Sequence, residues 1–234
     1  MAYTFFTVAN ETLRRLNEVE MTSSEFSAAK GVQALVKDAV NNSQRDIFTR
    51  DREWHFAYGS TSQTLTAGTN EYAVTTGFMS VDIDTVMLDR NDTLNVEERR
   101  LVPLTYDEYI DDHKERDEQR DSGDFDTPIY VYLTPDYKLG FTPTPDKAYV
   151  VKYTYYKAPT ELEASGDVPE VPSQYKNTLI DGALYHLYMM RDNIEQADRA
   201  SRAFQEGIDY MRSTLINRYI RMRDTRVSGL VNDW

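Results

Sequence analysis

Hydrophobic residues recur at helical spacing through the last third of the chain. A first helix is predicted to begin near Ser173. A second follows, with apolar positions separated by steps of three or four residues at Ala197, Ala200, Phe204, Ile208, Met211, Leu215, Tyr219 and Met222. This spacing keeps the side chains on one face of a helix. The pattern predicts two long helices between 172 and 226, with Leu184 and Phe204 buried where they pack.

A second set of helical signals marks the N-terminal part of the chain. A short helix is predicted from about Glu11 to Val19. Thr22 and Glu25 then form a capping-box pattern, in which the two residues satisfy each other's backbone N–H groups. The apolar stripe that follows predicts a helix to about Thr49, and we expect residues 22–50 to pack on 173–222.

The hydrophobic period changes toward two in the middle of the chain. A hairpin is predicted with its turn at 67–70, between strands at 64–66 and 71–74. Further strands are predicted at 81–88, 101–104, 129–133, 138–142 and 148–156. The last three are expected to form one antiparallel sheet, because short turns connect them.

An acidic segment interrupts these strands. Thr105 and Glu108 form a second capping box, which predicts a short helix through about His113. The stretch 114–126 is dense in charge and has Phe125 as its single apolar side chain, so it is predicted to be a mobile surface loop.

Together these patterns predict an α+β protein. The expected organisation is a helical bundle from 1–54 and 172–226, in which N-terminal helices pack on two long C-terminal helices. An antiparallel β-meander or sandwich is inserted at 55–171 and carries an acidic loop at 107–126. A C-terminal tail follows at 227–234.

Composition excludes several classes of protein. The 234 residues include no cysteine, so neither disulfides nor thiolate metal sites can form, and the three histidines lie far apart in sequence. No apolar run approaches the roughly 18 residues of a membrane span. The N-terminus has no basic region before its apolar stretch, so no secretory signal is expected.

Candidate catalytic groups are few. The phosphate-binding, nucleophile-elbow and zinc-helix motifs are all missing from the sequence. Asp82 with Asp84 could bind a divalent cation, and Asp111 and Asp112 with Glu115 could mimic a carboxylate site. However, a chain with 39 acidic residues produces such pairs by chance.

His186 lies on the first C-terminal helix and is expected to be structural. We therefore predict no catalytic residue, no metal ligand, no cofactor and no enzymatic activity.

Charge is distributed unevenly around a net charge of −13. Residues 82–126 contain 16 acidic against 6 basic side chains, whereas 199–226 contain 7 arginines against 3 acidic residues. The net charge argues against a protein that wraps DNA with a basic face. Such asymmetry either orients neighbours in an assembly or reflects an acidic loop and an ordinary helix surface.

The end of the chain combines arginines with an apolar tail. Arg218, Arg221, Arg223 and Arg226 either complement the dipole of the last helix or form a docking surface for an acidic partner. The tail that follows contributes Val227, Leu230, Val231 and Trp234, which suit an interface anchor.

The order of these parts resembles the head-to-tail adaptor (connector) proteins of tailed phages, particularly short-tailed ones, in the head-completion and tubular-tail-A group. The residues that carry the resemblance are the hairpin segment 65–72, Pro143-Thr144-Pro145, and the entry from Val171-Pro172 into 179–188. The resemblance covers roughly 10–215.

The resemblance implies a structural virion protein that forms a dodecameric ring beneath the portal. It places the helical bundle against the portal and the β part toward a downstream tail nozzle or tube protein. The ring would surround a channel through which the DNA genome leaves, and the protein would not bind that DNA specifically. Assembly would take place in the host cytoplasm. Acidic side chains on the channel wall would repel phosphate, and the segment's charge density predicts that the channel-facing residues are Asp111, Asp112, Glu115, Asp117 and Glu118.

Two other functions remain open from the sequence alone. One is a tail-associated carbohydrate-processing enzyme that uses a carboxylate pair, and the other is a tail-tube or tail-terminator subunit. Assembly state distinguishes an enzyme from a connector, because an enzyme works as a monomer or small oligomer with a deep pocket. The two C-terminal helices argue against a tube built mainly from sheet.

Overall fold

The computed structural model describes residues 3–51, 53–94, 96–119 and 125–216. The α-helices are α1 (Phe5–Arg15), α2 (Val32–Arg50), α3 (Tyr106–Tyr109), α4 (Glu115–Gln119), α5 (Lys176–Met190) and α6 (Ile194–Leu215). The strands are β1 (Tyr58–Leu65), β2 (Glu71–Ala73), β3 (Phe78–Leu88), β4 (Arg99–Arg100), β5 (Val102–Leu104), β6 (Tyr130–Leu133), β7 (Lys138–Thr142) and β8 (Tyr149–Lys157). The predicted α+β fold is confirmed.

The chain divides into two compact units. The helical unit contains the described residues up to Phe56 and from Pro159 onward, and the β unit runs from Ala57 to Ala158. The sequence pattern predicts that residues 159–171 belong with the strands, as part of the insertion at 55–171. In the structure that stretch bonds to α2, since the Asn41 amide exchanges two 3.0 Å hydrogen bonds with the Leu162 backbone.

Helices α2, α5 and α6 form the core of the helical unit. The apolar stripe predicted on α6 is buried through Ala197, Ala200, Phe204, Ile208 and Met211, and Leu184 on α5 is buried as predicted. The helices approach closely at Gly182, where a Cβ would clash with Ser43 of α2 and Phe204 of α6. Glycine is therefore required by packing at this crossing.

The predicted N-terminal helices are displaced along the chain. Helix α1 begins at Phe5 after a capping box between Thr4 and Thr7, and ends at Arg15 rather than Val19, because Asn17 adopts a left-handed φ of 57°. The Thr22–Glu25 capping bond forms, with Thr22 N–H donating to Glu25 Oε2 at 2.9 Å, but a 3₁₀ turn at Phe26–Ala28 follows it. Gly31 has a φ of 58°, and α2 starts only after it.

The β unit is a sandwich of two four-stranded sheets, in the orders β1-β8-β3-β4 and β2-β7-β6-β5. The single-sheet meander predicted for 129–156 is wrong, because β8 pairs with β1 and β3 while β6 pairs with β7. Strands β5 and β6 are also parallel, so the second sheet is mixed. Splitting the strands between two sheets buries the inner faces of both, and that core includes Leu65, Val86, Leu88, Val131, Leu139, Phe141, Val151 and Tyr153.

The hairpin predicted around Gly68 is also wrong. Strand β1 pairs with β8 and β2 pairs with β7, so the turn carries the chain from one sheet to the other. The turn bonds to distant residues: Gly68 N–H donates to the Pro145 carbonyl at 2.9 Å, and Asn70 accepts from Phe141 N–H at 2.8 Å. Local turn residues indicated a reversal, but tertiary pairing decided where the second strand lies.

Candidate interaction surfaces

Titratable clusters of the kind that support catalysis or metal binding are sparse in the described ranges. No group of three His, Asp or Glu side chains there could hold a metal ion. Asp82 and Asp84 share β3, and burial together with repulsion by Asp84 raises the pKa of the Asp82 carboxyl. His186 joins α5 to α2 through a 2.8 Å contact between its Nε2 and Asp46 Oδ2, which is a packing role.

The acidic segment begins with the predicted short helix and stays helical beyond His113, where the sequence predicted a loop. The capping box at Thr105 is confirmed: Thr105 N–H donates to Glu108 Oε2 at 2.8 Å. Hydrogen bonds from the Thr105 backbone and hydroxyl hold the pKa of the Glu108 carboxyl below its usual range. A π-helical turn at Ile110–Lys114 then extends the helix to Gln119, so the prediction of a surface loop from Lys114 is wrong as far as Gln119.

The helix forms because one of its faces packs on β6. The ring of Tyr109 stacks on Tyr132 with centroids 3.8 Å apart, and His113 lies 4.9 Å from Tyr130. The Tyr132 ring in turn covers Gly140 of β7, where a Cβ would overlap it. The sequence interpretation counted charges along 114–126 and missed this aromatic anchor, although the spacing of Tyr106, Tyr109 and His113 was a usable helical signal.

The opposite face of this helix is acidic, and we call residues 106–119 the acidic helix. Asp111, Asp112, Glu115 and Glu118 are exposed. Asp117 differs, because it is half-buried and its Oδ2 atom is inaccessible to solvent. Residues 106–119 carry seven carboxylates against Lys114 and Arg116, so the exposed face has a strongly negative potential.

A second surface lies at one end of the helical unit. The α5–α6 turn exposes Met189, Met190 and Ile194 to the extent of 49%, 55% and 75%. The Arg191 guanidinium in the same turn pairs with Glu18 at 2.7 Å, which brings the segment after α1 alongside it, and the neighbouring Val19 is 80% exposed. We call Val19, Met189, Met190 and Ile194 the apolar tip. These residues come from two distant segments, so no local pattern in the sequence indicates the tip.

The sequence-predicted partner-binding residues fall outside the described ranges. They are Arg218, Arg221, Arg223, Arg226, Val227, Leu230, Val231 and Trp234. In the part of the chain that the structure describes, no helix has both the length and the apolar character needed to cross a membrane.

The fold and its surfaces define an α+β protein with an acidic helix and an exposed apolar tip, and no metal-binding group appears among the described residues. The sequence profile of the SU10 adaptor protein family matches residues 3–228, and the chain belongs to this family. No curated protein matched the chain. Membership identifies a structural phage adaptor that is located in the virion and associates with other phage head–tail proteins.

Proposed function

We propose that this protein is a ring-forming head-to-tail adaptor that joins the portal to the tail of a short-tailed phage and lines the channel through which the genome leaves. The observation that carries the proposal is the family match over residues 3–228. Copies assemble in the host cytoplasm into a ring, expected to be dodecameric, between the portal and a downstream nozzle or tube protein. The protein has no catalytic activity in this role.

Assembly on the portal tests this proposal directly. The purified chain would be mixed with the portal ring of the same phage and examined by native mass spectrometry and electron microscopy. We expect a ring of adaptor subunits on one face of the portal. Monomers that bind neither each other nor the portal would contradict the proposal, and hydrolysis of a host glycan by the purified chain would favour the enzyme alternative.

The apolar tip supports docking of the helical unit on the portal. A contiguous apolar surface on a protein often marks an interface, and methionine side chains adapt to an irregular partner surface. The flanking Arg191–Glu18 pair holds the two segments of the tip together at 2.7 Å. The tip therefore offers a solvent-exposed apolar contact area.

We expect Met190→Asp combined with Ile194→Asp to weaken portal binding at least tenfold, because two carboxylates would have to be desolvated in the contact. Surface-immobilised portal rings would provide the binding isotherm. The matched control is Tyr137→Asp combined with Val168→Asp, at residues that are also exposed but lie outside the tip. Equal binding by the tip variant and the control would remove the tip from the interface.

The C-terminal tail is proposed as a second portal anchor, with the upstream arginines Arg218, Arg221, Arg223 and Arg226 steering it onto an acidic rim. Many weak tail contacts add up in a symmetric ring. Deleting residues 227–234 is expected to leave the fold intact and to yield DNA-filled heads that leak. Infectious particles with full stability after this deletion would refute the anchor.

The exposed carboxylates of the acidic helix are proposed to face the channel. Asp111, Asp112, Glu115 and Glu118 point to solvent while the aromatic face holds the helix on β6. A negative wall repels the phosphates of passing DNA. Asp117 is left out of this surface because it is half-buried.

Neutralising these four carboxylates as Asp111→Asn, Asp112→Asn, Glu115→Gln and Glu118→Gln is expected to leave ring assembly unchanged and to increase DNA retention at low salt. Retention would be measured as the fraction of genome that stays in particles after triggered ejection, over a series of salt concentrations. The control neutralises four exposed acids elsewhere, at Glu97, Glu98, Asp136 and Glu163. If both sets change retention equally, net charge rather than a channel wall is responsible.

A further inference from the structure

Strand β1 forms the longest edge in the β unit. It has eight residues and ends its sheet, whereas the other sheet edges among the described strands are β4 with two residues and β2 and β5 with three each. Within the described ranges, β8 is the only strand that pairs with β1. Among the described residues, the other side of β1 is therefore left without a paired strand.

Hydrogen bonds of β8 show which backbone groups of β1 face outward. Asp89 N–H donates to the Val150 carbonyl at 2.7 Å, and Thr154 N–H donates to Thr85 Oγ1 at 3.0 Å. Even-numbered residues of β8 thus direct their backbone groups toward β3. Because these directions alternate along an antiparallel strand, the odd-numbered residues of β8 face β1.

The register then identifies the outward residues of β1. Odd-numbered residues of β8 pair with odd-numbered residues of β1, such as Tyr153 with Thr61 and Val151 with Gln63. The remaining residues of β1 direct their N–H and C=O groups away from β8. These are Tyr58, Ser60, Ser62 and Thr64, and their side chains are all exposed.

Nothing in the sequence of β1 protects this edge. The segment Tyr-Gly-Ser-Thr-Ser-Gln-Thr-Leu has neither charge nor proline, and its pairing with β8 runs through eight consecutive positions without a bulge. Sheet edges usually carry charges, prolines or bulges that block pairing with another chain. The shorter edges have such residues: Arg99 and Arg100 in β4, Glu71 in β2 and Pro103 in β5.

We propose that the open edge of β1 is an assembly surface to which a neighbouring copy of this chain adds an extended strand. The inference rests on the proposed ring function, because it names the contact that joins the copies. Backbone hydrogen bonds supply the affinity in strand addition, so no charge complementarity is needed.

Charge favours a second copy as the occupant of this edge. Two chains with a net charge of −13 repel each other, and repulsion is weakest where they approach through an uncharged segment. In a chain with 28% charged residues, eight consecutive uncharged positions form such a segment. The side chains at Ser60, Ser62 and Thr64 are also small, so they leave room on this face of the sheet for the side chains of an added strand.

Amide hydrogen exchange tests the contact without any substitution. In the monomer, the N–H groups of Ser60, Ser62 and Thr64 should exchange quickly while those of Thr61 and Gln63 are protected by β8. In the assembled ring, hydrogen exchange at the Ser60, Ser62 and Thr64 amides should become at least tenfold slower. Rings that form with these three amides unprotected would overturn the inference and leave the ring function intact, whereas failure to form rings at all would overturn both.

A pair of variants separates backbone pairing from side-chain contact. Ser62→Pro removes one outward N–H at an edge position where proline is tolerated, and it should raise the concentration needed for half-assembly about tenfold. Ser62→Ala keeps the N–H and should assemble like the wild type. Equal assembly by both variants would refute strand addition, and protection that arises only when a portal or tail protein is bound would refute a second copy as the occupant.

Discussion

Replacing Trp54 with alanine is expected to lower the free energy of unfolding by about 3–5 kcal/mol. Trp54 is completely buried, its ring stacks on Phe56 with centroids 5.7 Å apart, and its Nε1–H donates to the Ile47 carbonyl at 2.7 Å. The substitution leaves a cavity and removes the donor at the end of α2. Urea denaturation followed by far-ultraviolet circular dichroism would measure the loss.

Trp54→Phe provides the control for this experiment. It keeps part of the buried ring and removes the N–H donor, so it should cost less than alanine while still losing the hydrogen bond to Ile47. An alanine variant with an unchanged denaturation midpoint would show that Trp54 does not hold this part of the helical unit together.

Phe204→Ala should destabilise the protein by a similar amount, about 3–5 kcal/mol. Phe204 is 3% exposed, lies against Gly182 where α5 crosses α6, and has the Arg50 guanidinium 6.0 Å from its ring centroid. Removing the ring leaves a void at the point where three helices meet. The cost includes this void because the surrounding structure relaxes only partially around a deleted ring.

Tyr210→Ala is the matched control on the same helix. Tyr210 is 63% exposed and contacts Tyr175 only through rings 6.0 Å apart, so its removal should cost no more than about 1 kcal/mol. If both variants lose the same free energy in urea denaturation, the destabilisation comes from the helix itself rather than from the buried contact.

The acidic helix and the apolar tip have different physical roles in the proposed adaptor. The acidic helix is held by stacked tyrosines and presents carboxylates to solvent, so its charges can be changed without disturbing its anchor. The tip is apolar, and the Glu18–Arg191 ion pair connects its two segments. Variants in the two surfaces should therefore affect DNA retention and portal binding separately.

The sequence by itself determined the elements whose signals are local. The apolar stripe of α6 needs only side chains spaced by three and four residues, and the burial of Ala197, Phe204 and Ile208 follows it. The capping box at Thr105 is also local, because the two residues bond each other within one turn. The α+β class and the family resemblance followed from the order of such elements, and the family match supports the resemblance at the level of a phage adaptor.

Only the tertiary structure decided which strands pair and which surfaces form. The turn at Gly68 looks like a hairpin turn in sequence, but burying the inner faces of two sheets sends β1 and β2 to different partners. The charges of 114–119 predict a loop, but the helix that begins at Tyr106 continues through them, and Tyr109 anchors that helix on the distant ring of Tyr132. The apolar tip and the open edge of β1 likewise depend on segments far apart in the chain, and long-range contacts of this kind leave no periodic signal in the sequence.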